Sequence, residues 1–112
     1  MRFEGVLPKT VRTARNRRGP RVNSRVPVAI QWKSEKGAEH FEAGSTRVIS
    51  MYGCLLVSPR ELQLGQQLQL TNSTTSRATA AVVVWKGIQR PDGWDLGVEF
   101  PEGDFDFWGL DF

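Results

Sequence analysis

From Val26 to Lys33 apolar and polar positions alternate, placing Val26, Val28, Ile30 and Trp32 on one face, the pattern of a strand half-buried against a core. Pro27 lacks an amide donor and suits the start or edge position of that strand. Ser34 to Gly37 supplies a turn. A second extended run covers His40 to Ser50, with a bulge or bend expected at Ala43-Gly44, because glycine inside a strand often marks one. Gly53 to Ser58 returns as a continuous apolar strand, so the two runs read as a hairpin with its tip at Ser50 to Gly53. Pro59 ends it.

In the connector Arg60 to Gly65, Leu62 and Leu64 are expected to plug the core, and Gln67 to Thr71 alternates cleanly as a fourth strand. A polar loop, Asn72 to Ser76, leads to Arg77 to Lys86, the richest β-forming stretch. After the turn signal Pro91-Asp92-Gly93, a sixth strand from Trp94 to Phe100 points Trp94, Leu96, Val98 and Phe100 inward. Six strands with no helical period predict an all-β fold, a small six-stranded antiparallel barrel, because closure hides sheet edges. The tail from Asp104 to Phe112 alternates acids and aromatics, and is expected to pack across a barrel mouth rather than to box a ligand. Residues 1–20 have no period and read as an extended, mobile, arginine-rich arm. The expected organisation is a flexible basic arm over 1–16 and a barrel domain over 17–112.

A chain of 112 residues is one domain's worth, with apolar content sufficient for one core. Its net charge of +3 conceals a split, since residues 1–25 hold eight bases against Glu4 alone, whereas residues 92–112 hold seven acids and no base. The two ends either meet electrostatically or form separate basic and acidic faces. Cys54, the single cysteine, excludes an intramolecular disulfide and sits in an apolar run, so it reads as a core residue rather than a nucleophile. With His40 the only histidine, no zinc cluster is expected. Neither a signal peptide nor an apolar run of about 20 residues is present, and the cytoplasm is the expected location.

Five arginines, Arg15, Arg17, Arg18, Arg21 and Arg25, crowd together just before the first long strand. Guanidinium forks stay charged and pair bidentately with phosphate or with the O6/N7 edge of guanine, which suits a nucleotide ligand. The same cluster is equally compatible with a solvated tail or a non-specific contact to nucleic acid or acidic lipid. Catalysis needs a nucleophile with its base, paired carboxylates or a metal. No such constellation is legible, and the glycines do not form a phosphate loop opening a helix, so the reading is against an enzyme.

The order Arg17-x-x-x-Arg21, Pro27-Val28, Ser50-x-x-Gly53-Cys-Leu-Leu, Leu64-Gly65-x-x-Leu68-x-Leu70, Val84-Trp85 and Gly97-Val98-Glu99-Phe100 resembles the PilZ domain family over about residues 17–110. The resemblance implies a six-stranded barrel that binds the bacterial second messenger cyclic di-GMP, with signalling through a protein partner. It implies that an Arg-x-x-x-Arg segment and an Asp/Asn-x-Ser-x-x-Gly turn clamp the ligand. Two registers fit the first motif: Arg17 with Arg21, preferred here, or Arg21 with Arg25, whose second arginine would lie in the strand itself. Arg18 and Arg25 are the second choices. Ser50 and Gly53 match the turn, but Val48 stands where Asp or Asn is expected. That departure leaves a second expectation open, a degenerate barrel that binds protein partners and no nucleotide.

Overall fold

The computed structural model describes residues 21–104 and 106–110, within which every regular element is a strand. They are β1 (Val22–Asn23), β2 (Pro27–Lys33), β3 (Glu39–Ser50), β4 (Gly53–Ser58), β5 (Gln67–Asn72), β6 (Ala78–Arg90) and β7 (Gly93–Glu99). All pairings are antiparallel in the order β1-β3-β2-β5-β6-β7-β4, and a further β3–β4 ladder closes six of the strands into a barrel. The expected six-stranded barrel is therefore present. The short β1 is added outside it, on β3.

Alternation in the sequence becomes inside and outside in the barrel. Val28, Ile30 and Trp32 of β2, Leu68 and Leu70 of β5, and Leu96, Val98 and Phe100 around β7 are buried as anticipated, while Trp94 is half-buried. Burial of each such side chain stabilises the fold by roughly 1.5–3 kcal/mol relative to exposure. Cys54 faces the same core, and burial pushes its thiol well above the ordinary range, which keeps it protonated.

The tail does pack. Phe107 and Trp108 are buried beside Phe100, with ring centroids 5.1 Å and 6.0 Å from it. Buried Asn72 fastens the tail by donating from Nδ2 to the Phe107 carbonyl at 2.9 Å, and its Oδ1 accepts from the Thr74 N–H.

Four expectations need correction. The irregularity in β3 lies between Thr46 and Val48, not at Ala43-Gly44. Gly44 instead allows close approach, because a Cβ there would lie 2.6 Å from the Val57 carbonyl oxygen. Leu64 is 63% exposed rather than a core plug, since the tight turn at Leu64-Gly65, tied by Gly65 N–H to the Val83 carbonyl, turns it outward while Leu62 goes in. β6 runs past Lys86 to Arg90, kept on β7 by register shifts between Val83 and Trp85 and between Lys86 and Gln89. Arg25 lies in the link between β1 and β2, not in a strand.

Phe107→Ala should cost about 3–5 kcal/mol of unfolding free energy, whereas Leu64→Ala should stay within about 0.5 kcal/mol. Urea unfolding of both variants checks the assignment, and comparable losses would contradict it.

Candidate functional site

Strand β3 carries the site because it pairs with three partners. Along Glu39–Ser45 it lies against β2, and along Ser45–Ser50 against β4. The side vacated by β2 is taken by β1, with Val22 opposite Ile49 and Asn23 opposite Val48. Exposed Arg21 directly precedes β1. Thr46, 1% exposed, holds the crossover between β1 and β2. Its hydroxyl accepts from the Val26 N–H at 2.8 Å and donates to the Ser24 carbonyl at 2.6 Å. The backbone continues the join, Ser24 N–H donating to the Arg47 carbonyl at 3.1 Å and Thr46 N–H to the Val26 carbonyl at 3.0 Å. The bulge at Arg47 supplies the bend that this kinked approach requires.

The hairpin tip is equally well held. Ser50 Oγ accepts from the Tyr52 N–H at 3.2 Å and donates to the Gly53 carbonyl at 3.4 Å, so the hydroxyl caps its own turn. Gly53 has φ 157°, and a Cβ there would collide with the Val98 carbonyl oxygen, which makes glycine a requirement of the β4–β7 approach itself. From the far side, Trp108 Nε1–H donates to the Ser50 carbonyl at 2.7 Å, Phe100 N–H to the Tyr52 carbonyl and Asp104 N–H to the Met51 carbonyl.

Outward positions form a continuous row across five strands. Asn23 faces Val48, Val48 faces Leu55, Leu55 faces Gly97 and Gly97 faces Trp85. A second row runs from Ser50 through Gly53 to Glu99. Trp85, 44% exposed, lies over a shelf of glycines, since a Cβ on Gly87 would meet its ring at 2.6 Å and one on Gly97 its Cβ at 3.1 Å. Two residues from Gly97 along β7, Asp95 centres a charged cluster. Buried Asp95 accepts from Arg90 Nε at 2.6 Å and from Arg47 Nε at 3.4 Å, and Arg47 Nη2 lies 3.5 Å from Asp92.

The structure thus pairs Ser50 with Gly53 at the hairpin tip, and sets exposed Arg21 directly before β1 and exposed Arg25 just beyond Ser24. Arg17 and Arg18 lie outside the described residues, as does the expected arm over 1–16. Arg25 is outside any strand, so the ground for preferring the Arg17/Arg21 register no longer separates the two. Sequence reasoning missed Thr46, Trp108, Trp85 and Asn23. The first two act through polar contacts between residues far apart in the chain, and the last two become neighbours of the site only through strand register. A groove of about 350 Å³ lined by Gln31, Trp32, Lys33, Glu39 and Gln66 to Gln69 shares no residue with this face.

The family description that matches is the PilZ domain, over residues 15–106, and the chain belongs to that family. No curated protein and no solved structure shows a significant match to it. PilZ domains are binding and adaptor domains rather than enzymes, generally receptors of cyclic di-GMP. Among the described residues no helix is long and apolar enough to cross a membrane.

Thr46→Val keeps the shape of the side chain but strands the Val26 N–H and the Ser24 carbonyl. It should cost about 1–3 kcal/mol in urea unfolding and speed hydrogen exchange at the Val26 amide; unchanged exchange there would remove Thr46 from the arm's attachment.

Proposed function

We propose that this PilZ domain is a receptor and adaptor for cyclic di-GMP, in the cytoplasm, acting as a binder and not as an enzyme. The observation that carries this reading is the β1–β3 register, Val22 opposite Ile49 and Asn23 opposite Val48, which supports a position for Arg21, the residue just before β1, close to the Ser50 tip of the β3–β4 hairpin. A cyclic dinucleotide brings two phosphates and two guanines, and arginine meets both by forking to phosphate oxygens or to O6/N7 and by stacking on the base. In this proposal Arg21 is common to both registers, with Arg17 or Arg25 as its partner and Arg18 as a further charge. Ser50 and Gly53 form the opposing wall, and the exposed Trp85 offers a stacking surface at the end of the outward row. Ligand binding orders the arginine segment over the barrel, and a downstream protein reads the new surface.

Val48 favours a second reading. Valine accepts no hydrogen bond from a guanine N1–H or N2–H₂, a loss of roughly 1.5–3 kcal/mol if nothing replaces it, or about one to two orders of magnitude in affinity. Together with exposed Val84, Trp85 and Ile88 on β6, it supports a degenerate module that binds a protein partner and no nucleotide.

Calorimetric titration with cyclic di-GMP at physiological salt, with GTP and a linear dinucleotide as controls, separates the two. Saturable binding of the cyclic ligand alone is expected, and Arg21→Ala should weaken it by about tenfold or more, the worth of one charge-assisted hydrogen bond. Of Arg17→Ala and Arg25→Ala, the variant with the larger loss identifies the register. No heat from a folded chain would replace the receptor with the interaction module.

A further inference from the structure

Residue 48 cannot read a base edge, yet the position directly across the ladder from it can. Asn23 of β1 faces Val48 of β3 in register, and side chains opposite one another in an antiparallel pair stand on the same face with Cβ atoms about 4.5–5.5 Å apart. That face is the outer one, because Ile49, the next residue of β3, is fully buried in the core. Asn23 is exposed, and its amide therefore stands over the same patch of surface that a polar residue at 48 would serve. The register is firmly set. Ser24 N–H bonds to the Arg47 carbonyl one step further along, and the Thr46 hydroxyl holds the Ser24 carbonyl, so a one-residue slip that turned Asn23 inward would break both.

We propose that Asn23 supplies the base-reading group of this domain in place of residue 48, an inference that rests on the cyclic di-GMP reading. Its Oδ1 accepts from N1–H or N2–H₂ of one guanine, and Val48 and Leu55 in the same row form an apolar floor that limits competition from water. Arg21 and Arg25 lie two positions on either side of Asn23, so a single five-residue segment would contribute both the phosphate contacts and the base contact. The amide carries no charge. It therefore reads the base without placing a carboxylate beside the ligand's phosphates, which an Asp at 48 would do.

The test is calorimetric titration of cyclic di-GMP into the wild-type chain, Asn23→Ala, and the double variant Asn23→Ala/Val48→Asn, each checked for an intact fold by its thermal melt. Asn23→Ala should raise Kd about tenfold or more, as expected for loss of one base-edge hydrogen bond. Val48→Asn in the same background should recover most of that loss, because it returns an amide to the same face from the neighbouring strand. Wild-type affinity in folded Asn23→Ala overturns the inference and leaves the receptor reading standing. Loss without rescue also overturns it, since it would assign Asn23 to holding β1 alone. An inert wild-type chain overturns the receptor reading and the inference together.

Discussion

The hydroxyl of Thr46 is the joint on which the functional face depends. It is buried at the point where β3 exchanges β2 for β1 as its neighbour, and it satisfies one donor and one acceptor of the incoming segment. A buried hydroxyl with both partners in place is worth having, and the same hydroxyl without them would cost more than an apolar side chain of equal size. The join therefore has one favourable geometry. Everything proposed for the site, from Arg21 near Ser50 to Asn23 beside Val48, follows from the register that this geometry imposes.

Opposite charges reinforce the outer face alongside the first row, since Asp95 stands two residues from Gly97 on β7. Asp95 is nearly excluded from water and is compensated by Arg47 and Arg90, one from the bulge of β3 and one from the last residue of β6. Buried carboxylates are tolerated when paired in this way, and removing one partner is costly because it leaves the charge uncompensated. The acidic end of the sequence thus meets basic residues, but through Asp92 and Asp95 with Arg47 and Arg90, and through Asp104 with Arg77, on the barrel itself.

Much of the barrel was legible in the sequence. Period-two alternation located the core of β2, β5 and β7, and the break at Ser50 to Gly53 located the hairpin tip, because both are local consequences of which residues avoid water and which tolerate a turn. The misreadings have one cause. Gly44 looked like a bulge and proved to be a close approach to Val57, a contact 13 residues away, while the true bulge at Arg47 answers to Ser24 and Val26. Leu64 looked like core because it is apolar and spaced from Leu62 like a strand residue, but a turn anchored on Val83 reverses it. At the site, Ser50 and Gly53 could be picked out as a short motif. Asn23 had no local signal, since its significance exists only across the ladder.

The hydrogen bond from the Trp108 indole to the Ser50 carbonyl bears on how the domain comes into being. The face is assembled from residues near 21–25, near 48–53 and near 108, so the earliest and latest parts of the described chain must both be in place before it exists. Such long-range closure slows folding relative to a helical protein of this size. The contacts that secure the tip, from Phe100, Asp104 and Trp108, are complete only in the closed barrel with its tail docked. Whatever recognises this face recognises the finished barrel, and its occupant draws the whole folding equilibrium towards the native state by mass action.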